Sequence, residues 1–369
     1  MSDHPADIRV LGCGVVPSEV QTVRESMVQH ADIKVFSFAM ASCAGLVPPG
    51  MARRIGRLQK MAIAAARLAM QEAPAPPADP ANVAVCVGTG LGSQTETAEF
   101  VENMIRLGEA EPKPARFVNS VHNSIASQLA IAWGFSGENH TFTHQSISFD
   151  LALWQAVQLL RTGRAERVLA CGADELSPYL LSVASSRRRW RGKVSTPLVK
   201  TYAKGIPGEG CAAFVLARCD ASYGAPRVAA LHVAPLNARN APAVDRLREL
   251  EFVGSALGRA GRGIRDVDFV LTCDNGDSDE DSAYVEVLNA LSAAAGHPLR
   301  TGRFKQFCGD FYTASAIGFA AAVRMVQEKR VPPEIAAAAP CQADPGSPVR
   351  NVLLYNLSRT GHSVCLITE

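Results

Sequence analysis

Neither sign of charge predominates in this 369-residue chain: 37 Lys and Arg stand against 35 Asp and Glu, and the formal net charge of +2 gives no global field for gripping nucleic acid. Charged partners must therefore be met locally. No apolar run approaches the roughly 18 residues that a membrane span requires. The start, MSDHPADIRV, has no basic stretch leading into an apolar one. These absences predict a cytoplasmic chain with neither a membrane nor a nucleic-acid partner. There is also no CxxC pair. The ten cysteines (13, 43, 86, 171, 211, 219, 273, 308, 341, 365) stand singly, most in apolar strand-like runs, and read as small buried hydrophobes in a reducing compartment.

What is present is globular: 47% hydrophobic and 20% charged residues. At roughly 150 residues per domain, the length allows two domains or one two-lobed unit. Short runs rich in Val, Ile and Cys (8–16, 83–90, 167–175, 211–219) alternate with stretches of helical period, which predicts α/β with buried strands. Over 53–70, Ile55, Leu58, Met61, Ala62, Ala65, Leu68 and Ala69 form one stripe, with Arg53, Arg57, Lys60 and Arg67 mostly off it, so this segment reads as a core-facing helix. The Pro- and Ala-rich stretch 71–82 reads as a loop. From about 226 a second series of strands and helices begins, with helices near 243–260 and 313–328 and two closing strands. The layout divides the chain into halves of 1–225 and 226–369, although residue identity between them is too weak to prove duplication.

The first segment with chemical promise is 143–175. A short strand predicted to end at Ser146 is followed by a turn and a helix over 149–161. A polar side chain at such a turn stands at a helix N-terminus, where backbone N–H groups polarise a nucleophile or hold an oxyanion. Ser146 is so placed.

Here the chain resembles the β-ketoacyl-[acyl carrier protein] synthases, the ketosynthase branch of the thiolase superfamily. The resemblance runs over essentially the whole chain, through RRIGRLQKMAIAAARLAM (53–70), GTG (88–90), SVHNSIASQLAIAWGFSGENHTF (120–142), VLACGADE (168–175) and, most specific, KGIPGEGCAAFVLAR (204–218). It implies a thiolase-like five-layered α/β/α/β/α fold of two similar halves, a dimer, and acyl chains delivered by a carrier protein. In that family a cysteine at the strand-to-helix turn accepts the acyl chain. Counting back 17 residues from Gly163 puts Ser146 there without a gap, whereas a one-residue shift would put Gln145 there, as in glutamine-bearing chain length factors.

The segment 271–287 falls where the family carries a histidine-glycine-threonine motif followed by a glutamate; Gly276 and Glu286 match, but Asn275 takes the histidine's place. In 304–319, Lys305, Gly309, Ala314 and Ser315 match the lysine and glycine-histidine motif, and Asp310 replaces its histidine. NLSRTGH (356–362) replaces the glycine-rich, phenylalanine-bearing gate. A condensing site needs a thiolate-competent Cys and two imidazoles to decarboxylate malonyl thioester and steady the enolate. An ionised Asp310 would repel that enolate, and one amide does not replace two imidazoles. The resemblance therefore implies a degenerate subunit that acts as a chain-length-factor-like partner of an active ketosynthase in type II polyketide or fatty-acid-like synthesis.

Two other readings stay open. Ser146 could serve as an acyl acceptor if His144 or His122 reached it, although no GxSxG elbow surrounds it. Alternatively, the chain could be a non-catalytic homodimer that binds carrier protein. SVHN (120–123) resembles chain length factors of the aryl polyene type. Arg187, Arg188, Arg189, Arg191 and Lys193 form a basic run that, extended by Arg53 and Arg54, suits an acidic carrier protein and the phosphate of its phosphopantetheine. The same residues read equally as a solvated charge run. No bound cofactor and no metal is expected. A calcium loop starting at Asp277 would need Gly and Glu where Ser282 and Leu288 stand, so DNGDSDEDS (274–282) reads as a solvated acidic loop. GTGLG (88–92) lacks the GxGxxG spacing of a dinucleotide site.

Overall fold

The computed structural model describes residues 7–16, 19–24, 32–108, 113–182, 205–220, 223–236, 245–276, 278–337 and 347–369. Its strands are β1 (Asp7–Val16), β2 (Glu19–Arg24), β3 (Asp32–Ser37), β4 (Val83–Gly88), β5 (Asn139–Phe142), β6 (Arg167–Asp174), β7 (Gly210–Cys219), β8 (Arg227–Pro235), β9 (Phe269–Thr272), β10 (Thr301–Arg303), β11 (Asn351–Ser358) and β12 (Gly361–Thr368). The helices are α1 (Pro49–Ala52), α2 (Arg57–Glu72), α3 (Gln94–Leu107), α4 (Pro114–Ser120), α5 (Ser124–Trp133), α6 (Ser148–Arg161), α7 (Arg246–Arg259), α8 (Ser278–Ala295), α9 (Lys305–Cys308), α10 (Ala314–Glu328) and α11 (Pro333–Ala337).

Ten strands make one mixed sheet in the order β10-β9-β11-β12-β8-β1-β7-β6-β4-β5, while β2 and β3 form a separate hairpin. The large sheet is two five-stranded sheets meeting at one narrow seam, where β1 and β8 share a single register pair, Arg9 with Arg227. Each half has the same pairing sense. β1 is antiparallel to β7 and β7 to β6, with β6, β4 and β5 parallel. In the other half β8 is antiparallel to β12 and β12 to β11, with β11, β9 and β10 parallel. The strands are apolar on both faces because both are covered: β4 is buried throughout and β6 at all but its first residue.

One core lies between the first half-sheet and the outer helices α2 and α5. The other fills the middle layer, where α6 and α10 are sandwiched between the two half-sheets, and continues to α7 and α8 on the far side. The result is the expected five-layered arrangement. α2 approaches β1 so closely that a Cβ added to Gly14 would lie 2.0 Å from Ala65 O, and one added to Gly12 2.1 Å from Ala69 O. Glycine on the strand facing alanine on the helix is thus what the sequence pattern encodes at this contact. Arg57, off the apolar stripe as expected, still turns inward to pair with buried Glu209.

All nine cysteines among the described residues are free, and eight of them are buried. Among the described residues, no helix is long and apolar enough to cross a membrane. The basic run Arg187, Arg188, Arg189, Arg191 and Lys193 lies outside the described residues.

Candidate functional site

The strand expected to reach Ser146 ends four residues earlier, at Phe142, and a single 3-10 turn over Gln145–Ile147 leads into α6. The reason is a set of bonds that pulls the backbone out of extension. His144 N donates to Ser148 Oγ at 2.8 Å, Ser148 Oγ donates to Gln145 O at 2.7 Å, and Asn356 Nδ2 donates to Ser146 O at 2.8 Å. Within this turn the strain falls on Gln145, whose φ of +48° is unusual for a residue with a side chain. Its Oε1 is buried without a hydrogen-bond partner among the described residues. Gln145, the shifted alternative, therefore occupies the apex of the turn, and Ser146 follows it.

Neither histidine considered as a base for Ser146 is placed for that role. His144 Nε2 meets the carbonyl of Thr360 at 3.0 Å, on the β11–β12 hairpin tip where the phenylalanine gate was expected. His122 is exposed and rests against Gly92. Among the described residues, no hydrogen bond joins either ring to Ser146.

Asn275 and Asp310, which the resemblance alone assigned to histidine positions, come together. Asn275 Nδ2 donates to Asp310 Oδ2 at 3.1 Å, and Lys305 Nζ donates to Asp310 Oδ1 at 2.7 Å. Asp310 is only 3% exposed; an isolated bridge to Pro207 brings the 205–210 segment against it, and Phe36 of β3 bridges to Gly208 of that segment. Burial works against the Lys305 charge, but the Asp310 carboxylate more than offsets this and holds the ammonium above the ordinary lysine pKa. The result is a closed Lys305–Asp310 ion pair with Asn275 bonded to its carboxylate. Glu286 is exposed on α8 and takes no part in this cluster among the described residues.

The segment expected as a solvated acidic loop over 274–282 gives way to α8 from Ser278, and at Asp274 and Asp281 it is tied down. Asp274 is buried, accepts from Thr272 Oγ1 at 2.5 Å and pairs with Arg303 at 3.3 Å. Asp281 accepts from the backbone N–H groups of Asn275 and Gly276.

Several buried carboxylates were not singled out from the sequence, among them Asp174, Glu209 and Asp150. Asp174, at the end of β6, accepts from the N–H groups of Gly90 and Thr313 at 2.8 and 2.9 Å, so it binds the GTG loop to the start of α10. Glu209 joins Arg57, Phe38 N and Leu176 N. Asp150 lies in the first turn of α6. The available signal was an acid inside an otherwise apolar run (LACGADE, SFDLALW) or between glycines (GEG). Only a buried acid with several donors fits such places.

Arg53 and Arg54, on the loop between α1 and α2, line a cleft of about 480 Å³ with Lys113 and Arg116 of the α4 start. Glu96 and Asn119 line it too, and Arg116 pairs with Glu96 and Glu99. Lys113 and Arg116 were missed because nothing in the sequence places them beside Arg53.

Residues 30–221 match the family model described as β-ketoacyl synthase, N-terminal domain. Over 160 residues the chain is 27% identical to the chloroplastic 3-oxoacyl-[acyl-carrier-protein] synthase I of Arabidopsis thaliana, covering 41% of this chain and 34% of the relative. The barley protein of the same name is 27% identical over 96 residues, covering 26% of this chain and 21% of the relative. The chain thus spans about a third or less of the length of the curated relatives it matches. Among solved structures, the ishigamide ketosynthase/chain length factor superposes with a TM-score of 0.79 at 19% identity, over 99% of both chains. The complex of the ketosynthase ApeO with its chain length factor ApeC from Xenorhabdus doucetiae gives 0.73 at 13% identity, over 100% of both.

Proposed function

The chain belongs to the β-ketoacyl synthase family, and on that premise we propose that it is a non-condensing subunit that partners a cysteine-bearing ketosynthase in the manner of a chain length factor. The observation that carries this reading is the Lys305–Asp310–Asn275 cluster. Decarboxylative condensation generates an enolate, which is stabilised by preorganised donors and opposed by a fixed carboxylate. With Lys305 committed to Asp310, the cation at hand neutralises the protein's own acid. At the turn, neither an amide at Gln145 nor a hydroxyl at Ser146 without a hydrogen-bonded base makes a strong nucleophile.

The surfaces suit a two-subunit assembly served by a carrier. β5 is an edge strand, with Val85 N donating to Glu138 O and Thr89 N to Phe142 O. By the alternation of parallel pairing, the N–H and C=O groups of Asn139 and Thr141 face outward. Exposed Ile131 on α5 and Trp154 on α6 stand on the helices that pack against β5. A partner strand there would continue the sheet. The cleft of Arg53, Arg54, Lys113 and Arg116 suits an acidic carrier protein and the phosphate of its pantetheine arm.

The test has two arms. Mixed with a cysteine-bearing ketosynthase from the same source, the chain is expected to form a one-to-one complex by solution mass and to give no condensation product alone. A stable homodimer that condenses by itself would overturn the reading. Intact mass after incubation with acyl-[acyl carrier protein] is expected to show an adduct on neither the native chain nor Ser146→Ala. A native adduct lost in Ser146→Ala would replace this reading with an acyltransferase.

A further inference from the structure

The turn that presents Gln145 is held from beneath by a buried hub that spans both halves. Asp150 Oδ1 accepts from Ser363 Oγ at 2.6 Å, while its Oδ2 accepts from Ser315 Oγ at 2.9 Å and Asn356 Nδ2 at 3.3 Å. These donors come from β12, the first turn of α10 and β11 respectively. No cation pairs with Asp150 among the described residues. Instead the N-termini of α6 and α10 converge on it, each with partial positive charge. Burial raises its pKa, and the three side-chain donors act against that rise.

Asn356 links the hub to the turn, because the same Nδ2 that meets Asp150 also donates to Ser146 O at 2.8 Å. The Gln145 carbonyl is held separately by Ser148 Oγ. A left-handed non-glycine residue is strained and persists only where its surroundings over-determine it. Here the carbonyls on both sides of the 145–146 link are pinned, one of them by a residue that Asp150 orients.

From this we infer that Asp150 is the positioning residue of the turn: acting through Asn356, it holds Gln145 rather than Ser146 at the apex. The inference rests on the reading of this turn as the family's acyl-accepting position, but its test does not depend on any partner or acyl donor.

The probe is iodoacetamide, applied to the full chain carrying Gln145→Cys or Ser146→Cys, each alone and combined with Asp150→Leu, Asp150→Asn or Asn356→Ala. Alkylation rates are read peptide by peptide by mass spectrometry, so the native cysteines do not enter. With the hub intact, the thiol at 145 is expected to react faster than the one at 146 by about tenfold or more, the scale of one lost buried hydrogen bond. Asp150→Leu and Asn356→Ala should bring the two rates together. Asp150→Asn keeps an acceptor and the shape, and should restore most of the difference. Because the rate ratio is internal to the turn, a general loss of stability does not mimic it, and native circular dichroism is checked for each variant. If Asp150→Leu does not fold, Asn356→Ala decides alone, since it leaves the Ser315 and Ser363 contacts in place. An unchanged ratio in a folded hub variant would overturn the inference, as would faster alkylation at 146 in the intact hub. If the ratios behave as expected but no ketosynthase complex forms, the positioning role stands and the partner reading falls.

Discussion

Glu175 follows directly on Asp174 at the end of β6, and its environment decides which protonation state the fold prefers. Thr95 N donates to its Oε1 at 2.8 Å, while Oε2 is buried without a partner among the described residues. Burial raises its pKa from the usual 4.5 to about 7; Thr95 and Arg57 oppose the rise and Glu209 adds to it. In the unfolded chain the carboxyl ionises near 4.5, so the folded state holds the extra proton between the two values. The stability it contributes is complete below about pH 4.5 and is lost as pH climbs through about 7, a change on the order of 3 kcal/mol. Glu175→Gln should remove this slope: urea unfolding should find the variant close to wild type at pH 5 and more stable at pH 8. Equal stability at both pH values would show that Glu175 titrates normally. No residue count could have found this group, because its shift comes from burial, which the packing of distant segments around it decides. The apex of the turn was hidden for the same reason: spacing alone favoured Ser146, and the backbone angle that singles out Gln145 is imposed by Ser148, Asn356 and Asp150.

Among the elements, α2 and β1 illustrate a contact that sequence pattern specifies well. The helix buries alanines because the strand offers glycines, and the backbones approach too closely for larger side chains. Gly14→Ala would drive a methyl into Ala65 O and should lower stability by about 1–3 kcal/mol, the usual cost of overpacking. On α7, Gly254 is exposed with open space where a Cβ would be. Gly254→Ala should raise stability by about 0.5–1 kcal/mol through helix propensity. Thermal unfolding of the two variants, measured side by side, checks both signs. Most strand and helix expectations were legible at this scale because burial on one or both faces leaves a period in the sequence. The exception is the strand expected to run to Ser146. Its end at Phe142 depends on side-chain bonds that periodicity does not report.

For the molecule as a whole, the two half-sheets pair in register only at Arg9 and Arg227, with Val10 N donating to Pro226 O beside them, and the middle helices and the buried polar ties that cross between the halves add to this seam. Asp174 to Thr313 and Asp150 to Ser315 are two such ties, both ending at the start of α10. The far edge of the first half remains open at β5. Thr141→Pro removes an outward-facing N–H while leaving the ladder to β4 intact. It is expected to abolish complex formation with a ketosynthase, measured by solution mass, without a large change in melting temperature. A complex of unchanged affinity would place the partner on another surface.

The sequence by itself determined the layered α/β fold and the family, because each depends on local period or on residue identity in order along the chain. Tertiary structure alone decided that Asp310 is neutralised by Lys305, that Lys113 and Arg116 join Arg53 and Arg54 in one cleft, and that Gln145 takes the apex of the turn. The cleft depends on segments distant in the chain, the ion pair on the turn that brings Lys305 back to Asp310, and the backbone angle on Ser148 beside it together with Asn356 from the other half. Such side-chain bonds and juxtapositions are set by the folded backbone, and they leave no periodic trace in the sequence.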